Sequence, residues 1–215
     1  MNYTCTEIAS VLNCEVLGKN NGVVKYVITD SRYPVFTDES MFVALSGNRF
    51  DGHQFVDDIY KQGCKVFLLE HKPAFLQEDA TYFIVPSTLN ALQKIASWHR
   101  IHFKYQVIGI TGSYGKSILK EWLFDLLCNQ YNVVRSPKSY NSQLGVPLSI
   151  FQMSEKNSLG IFEAGISKPN EMYRLSEIIK PTIGVFTNIG NAHQENFTSI
   201  DEKSMKKYNF FKPLS

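Results

Sequence analysis

The residues best placed to do chemistry lie between Val107 and Cys128. A strand-like apolar run, Val107 to Ile110, leads through Gly112-Ser-Tyr-Gly115-Lys116-Ser117 into a helix-like run ending near Cys128. Strand, glycine-rich turn and helix in that order form a phosphate-binding arrangement. Glycines let backbone N–H groups turn inward around phosphate oxygens with no Cβ in the way, and the helix N-terminus adds partial positive charge. Gly112, Ser113 and Gly115 are the candidate cradle. Lys116 could reach the β and γ phosphates, and the Ser117 hydroxyl could bind Mg²⁺. The strict Gly-x-x-x-x-Gly-Lys-Ser/Thr pattern would need glycine at 110, where the chain has Ile110; the glycines fall at 109, 112 and 115. That spacing points away from GTPases and most ATPases, and the chain has no Asn-Lys-x-Asp base-reading motif.

The elements that must hold this loop alternate along the chain. Thr4-Cys-Thr-Glu7 is a capping box before a short helix. Val23 to Ile28, Met41 to Leu45, Lys65 to Leu69 and Tyr82 to Val85 read as strands. Phe55 to Gly63 and Leu89 to Trp98 read as helices. After a polar stretch, His102 to Gln106, come the loop and its helix, strands at Val133-Val134, Leu159 to Glu163 and Thr182 to Thr187 (the last read as buried), and helices at Tyr173 to Ile179 and Ile200 to Phe211. The fold class is α/β: a small α/β domain over 1–103, then a parallel sheet with helices on its faces over 104–215.

Composition sets the outer limits. The 215 residues are 44% hydrophobic and 20% charged, ordinary for a globular protein with a core. A formal net charge of +2 gives no reason to expect nucleic acid or an anionic membrane as partner. Cys5, Cys14, Cys64 and Cys128 form no CxxC pair and read as reduced thiols. No signal peptide and no membrane-length apolar run is present, so a cytoplasmic location is expected.

At this point the sequence resembles the Mur ligase family. Residues 109 to 117 match its ATP loop except at Tyr114, where the family usually has asparagine. Thr29-Asp30-Ser31-Arg32, Met41 to Gly47 and Asp51-Gly52-His53-Gln-Phe55 resemble the domain that holds the uridine diphosphate of the substrate. Arg32 offers a planar fork of donors for a diphosphate, and Ser31 and the Asp30 backbone could serve uracil or phosphate. Asn141, before Gly145-Val-Pro147, matches an asparagine implied to contact the muramoyl or phosphate part. Glu163, in Phe162-Glu163-Ala-Gly165, and His193, in Thr187-Asn188-Ile-Gly-Asn-Ala-His193, match residues that serve Mg²⁺. Asn188 falls beside the nucleotide. Lys207, four residues before Phe211, matches a lysine carbamylated in the family, which would make it an anionic metal partner.

The resemblance implies a small UDP-binding domain followed by a partial P-loop-type ATP-binding domain, with ATP and Mg²⁺ as cofactors. It implies a reaction through an acyl phosphate that joins D-alanyl-D-alanine to a UDP-N-acetylmuramoyl tripeptide, with Lys116, Glu163, His193 and Lys207 as the catalytic set. The resembling ligases continue through more of the sheet and a third domain, so the chain is expected to be a fragment that does not turn over alone. Three alternatives stay open: the sibling tripeptide-forming ligase, a different P-loop enzyme, and a non-catalytic UDP-sugar-binding module.

Overall fold

The computed structural model describes residues 1–32, 37–47, 50–165, 171–190, 199–208 and 210–211. The chain forms two compact units, Met1–Ile95 and Ala96–Ser215.

The first unit runs β1 (Tyr3–Thr4), α1 (Cys5–Leu12), β2 (Glu15–Gly18), β3 (Val23–Val24), β4 (Tyr26–Ile28), β5 (Ser40–Val43), β6 (Ser46–Gly47), β7 (Phe50–Asp51), a 3₁₀ turn (Gly52–Phe55), α2 (Val56–Lys61), β8 (Val66–Leu69) and β9 (Thr81–Ile84). The capping box forms as the sequence predicts. Thr4 Oγ1 accepts from Glu7 N at 3.2 Å, and Glu7 Oε2 accepts from Thr4 N at 2.8 Å. A five-stranded sheet has the order β2-β9-β8-β5-β4, parallel except for β2, which pairs antiparallel with β9. Phe42, Phe67, Leu69 and Tyr82 from its strands pack with Val56 and Ile59 of α2.

The strand expected over Val23 to Ile28 is two strands in different sheets. Lys25 N and Tyr26 N both donate to Glu39 O, at 2.8 and 3.2 Å, which breaks the ladder. β3 then pairs with β1, and β4 with β5. Two further pieces escape pattern reading: β2, an edge strand of four residues, and the small β6–β7 hairpin.

α3 (Thr88–Arg100) spans the junction. Its last turn belongs with the second unit: Ser97 Oγ donates to Glu177 O at 2.9 Å, and the buried Arg100 guanidinium donates to Ile179 O at 2.7 Å and Lys180 O at 2.9 Å. These bonds satisfy carbonyls at a helix C-terminus that have no partner within their own helix.

The second unit runs β10 (Gln106–Thr111), α4 (Lys116–Leu127), β11 (Val133–Arg135), α5 (Gly145–Ile150), β12 (Leu159–Glu163), α6 (Glu171–Ile179), β13 (Ile183–Phe186) and α7 (Ile200–Tyr208). Its sheet is parallel throughout, in the order β11-β12-β10-β13. Leu119, Leu123 and Leu127 of α4 cover one face over Ile108, Ile110 and Ile161. Val146, Phe162, Leu175 and Phe210 fill the other. The segment read as the buried strand Thr182 to Thr187 is β13, and three of its four residues are exposed. It pairs with β10 alone among the described strands, so one edge lacks the neighbour that buries β12. α5 lies outside the elements expected from the pattern; its Pro147 sits in the first turn, where a missing N–H costs no helical bond.

Candidate phosphate and metal site

The chain passes from β10 to β11, back to β12, and then across to β13 on the far side of β10. Ligands of open α/β sheets bind outside the carboxyl ends of the strands where the order reverses in this way. The carboxyl end of β10 runs into the glycine loop, that of β12 ends on Glu163, and that of β13 leads to Thr187 and Asn188. One sheet edge therefore gathers residues far apart in sequence.

Backbone conformation explains the loop's glycines. Gly112 has φ +144 and Gly115 has φ +79, both in the region that disfavours a side chain. A Cβ on Gly112 would collide with Thr187 Oγ1. The segment after β13 buttresses the loop. Ser113 N donates to Asn188 O at 2.9 Å, and Ser113 Oγ accepts from Gly190 N at 3.0 Å. The Asn188 side chain brackets residue 114, accepting from Tyr114 N at 3.1 Å and donating to Tyr114 O at 3.2 Å. Thr187 Oγ1 donates to that same carbonyl at 2.6 Å. The Tyr114 ring is 55% exposed, so the departure from asparagine leaves the loop backbone held by its neighbours.

The charged groups are interlocked. Lys116 Nζ donates to Gly112 O at 3.0 Å, across its own loop. Burial pulls its ammonium pKa down, opposed by the Glu163 carboxylate. Ser117 Oγ donates to Glu163 Oε2 at 2.8 Å and lies 3.2 Å from Ser139 Oγ. Glu163 is fully buried. Asn141 reaches the same edge through its backbone: Asn141 O accepts from Gly165 N at 2.8 Å. Gly112, Ser113, Gly115, Lys116, Ser117, Glu163 and Asn188 are thus brought together, with Asn141 adjoining. Lys207 on α7 is 3% exposed. His193 lies outside the described residues.

Several relatives match this arrangement. The Mur ligase middle-domain model matches residues 110–215. A Bacillus subtilis UDP-N-acetylmuramoyl-tripeptide–D-alanyl-D-alanine ligase is 33% identical over 82% of this chain and 38% of its own length. The ligase of that name from Rickettsia prowazekii is 32% identical over 97% of this chain and 43% of its own.

The chain belongs to the Mur ligase family.

Solved structures agree. MurF from Acinetobacter baumannii superposes with a TM-score of 0.91 at 25% identity, covering all of this chain and 47% of that one. MurF ligase from Thermotoga maritima, solved with ADP, gives 0.79 at 31% identity, over 87% of this chain and 43% of its own. The chain therefore spans less than half the length of these Mur ligases.

In the first unit, Thr29, Asp30 and Ser31 are partly buried and Arg32 is exposed. The Arg32 fork is spent on Asp30: Nε donates to Oδ1 at 2.8 Å and Nη2 to Oδ2 at 2.6 Å. These bonds hold the Asp30 carboxyl down at about 2. Arg32 is 86% exposed, so this pair is screened by water. Asp51, His53 and His71 also lie close enough to suggest a metal trio. His53 argues against it. Its Nε2 accepts from Glu70 N at 2.8 Å, which leaves the proton on Nδ1, donated to Asp51 Oδ1 at 2.6 Å. Both ring nitrogens are committed, and His53 reads as a positioning residue for the β7–α2 turn.

Sequence reasoning missed one member of the site. Lys120 is fully buried, with Nζ 3.4 Å from Glu163 Oε1. A cation three residues after Ser117, on the helix face that packs on the sheet, was the available signal.

Proposed function

We propose that the second unit binds ATP with Mg²⁺ at this loop, and that the chain supplies the nucleotide-handling part of a ligase joining D-alanyl-D-alanine to a UDP-N-acetylmuramoyl tripeptide. The relatives carry that name, and the site chemistry suits it. The observation that carries the reading is the Ser117–Glu163 pair at the mouth of the glycine loop, with oxygens 2.8 Å apart. Two neighbouring ligands of an octahedral Mg²⁺ at 2.0–2.1 Å sit about 2.9 Å apart, so these hard oxygens fit such an ion with little movement. When bound, the ion would offset the repulsion between two anions, the γ-phosphate and the substrate carboxylate.

The chain's own groups divide the remaining work. The backbone N–H groups of 112 to 117 orient the phosphates. Lys116 leaves the Gly112 carbonyl for the β and γ oxygens and stabilises charge that develops as the γ-phosphoryl group moves. A carboxylate oxygen of the tripeptide attacks phosphorus and ADP departs, giving an acyl phosphate. The dipeptide amine then attacks the acyl carbon, inorganic phosphate leaves, and the nitrogen loses a proton. Asn141, beside Gly165, would orient the substrate near its muramoyl part. In residues 1–103, Thr29, Asp30, Ser31 and Arg32 would anchor the uridine diphosphate, with Arg32 exchanging Asp30 for a diphosphate oxygen. Residues 104–215 would be the first part of the ATP-binding domain. His193 and a carbamylated Lys207 would complete the metal surroundings. The described residues contain no helix long and apolar enough to cross a membrane. We assign a cytoplasmic site of action and no nucleic-acid or membrane partner.

Calorimetric titration of the chain with ATP in Mg²⁺, and separately with a UDP-sugar, tests the proposal. Both should bind. Binding of the UDP-sugar alone would replace it with a non-catalytic UDP-sugar module.

A further inference from the structure

Lys120 is the one fully buried ammonium among the described residues. An isolated charge there would be costly, so its partners define its work. Nζ donates to Ser136 O at 2.8 Å, to Lys138 O, and to Glu163 Oε1 at 3.4 Å. It also pairs with Glu121 Oε1 at 3.1 Å, while Glu121 Oε2 pairs with Arg135 Nη2 at 3.0 Å. The two Glu163 oxygens are thus divided: Oε1 faces Lys120, and Oε2 faces Ser117. The two carbonyls belong to the turn after β11, where Lys138 takes a left-handed φ of 48 before Ser139 comes within reach of Ser117.

We infer that Lys120 is a positioning residue of the phosphate site. It holds Glu163 by one oxygen so that the other stays beside Ser117, and it clamps the 136–138 backbone that delivers Ser139 to the same spot. This rests on the reading that the loop binds ATP with a divalent ion. Its consequence is specific: Lys120 sets how much Mg²⁺ improves ATP binding, while contacting neither nucleotide nor metal. An apolar residue of similar length could fill the space and keep the helix on the sheet, but it would leave the carboxylate free to turn away.

The test titrates ATP calorimetrically into the full chain, in excess Mg²⁺ and in EDTA, for wild type, Lys120→Met and Lys120→Gln. Both tryptophans, Trp98 and Trp122, lie in the second unit, so a fluorescence melt of each variant reports whether that unit is folded. Lys120→Gln keeps donors for the two carbonyls and serves if Lys120→Met does not fold. The gain in ATP affinity from Mg²⁺ should fall about tenfold in the folded variants, with affinity in EDTA changed less than about twofold. A folded variant that keeps the wild-type gain, or loses affinity equally in both buffers, overturns the inference. Failure of both variants to fold at room temperature also overturns it, because Lys120 would then be structural only. Absence of ATP binding by the wild-type chain overturns the proposed function and this inference together, so the two failures are told apart by the wild-type titration.

Discussion

The glycine loop of the second unit and the Thr29–Arg32 turn of the first are both proposed to hold phosphate groups, yet they are built differently. In the loop the polar groups are pinned: Lys116 on the Gly112 carbonyl, Ser117 on Glu163, Glu163 on Lys120, and the 113–114 backbone on Asn188. In the turn, Arg32 and Asp30 pair with each other, with no further side-chain partner among the described residues, and Arg32 lies largely in water. The first arrangement hangs on three strand ends of one sheet, while the second is local in sequence. A site assembled from distant strands is pre-organised and cannot be altered without cost to the fold. A local turn can exchange its internal partner for a ligand and contributes little to stability.

The largest effect expected from this difference is at Gly112. Gly112→Ala would drive a Cβ into Thr187 at a positive φ, abolishing measurable ATP binding and destabilising the second unit by about 2–4 kcal/mol, read by its tryptophan melt. Next is Glu163→Gln, which removes the carboxylate beside Ser117 and should weaken Mg²⁺-dependent ATP binding by about 10–100-fold, with UDP-sugar binding unchanged by calorimetry.

A pH probe sharpens the comparison further. Burial holds His99, in the second unit, down at about 4, with its Nε2 donating to Met153 O at 3.1 Å. Because the folded pKa lies below the ordinary 6.5, the unfolded chain takes up the proton first as pH falls. The stability His99 contributes is complete above pH 6.5 and is lost between there and about 4. Urea unfolding followed by tryptophan fluorescence should show a loss on the order of 2 kcal/mol between pH 7 and pH 5, removed by His99→Phe. The smallest structural effect is at the turn. Arg32→Ala should leave that melt in place and lower UDP-sugar affinity about tenfold, with ATP binding unaffected. A large drop in ATP binding would erase the distinction between the two sites.

Much of this was legible in the sequence because it is local. The capping box at Thr4, the helix over Leu89 to Trp98, and the Gly112–Ser117 run each carry their physics within a few residues. What was not legible depends on pairing across the chain. The helix face of Lys120 can be placed from its spacing, but its partners are known only once β11 and β12 bring Ser136 and Glu163 to it. The split of Val23 to Ile28 is decided by Glu39, and the exposure of β13 by which strands flank it. The pairing of Arg32 with Asp30 is local, and opposite charges two residues apart in a turn already allow such a surface ion pair.

The most direct test is crystallisation of the chain with Mn²⁺ and a non-hydrolysable ATP analogue, locating the metal by its anomalous signal. The metal peak is expected in contact with Ser117 Oγ and a Glu163 oxygen, with phosphates against the backbone of 112 to 117. A metal and nucleotide bound elsewhere, with Ser117 still hydrogen-bonded to Glu163 beside an empty loop, would contradict the proposed site.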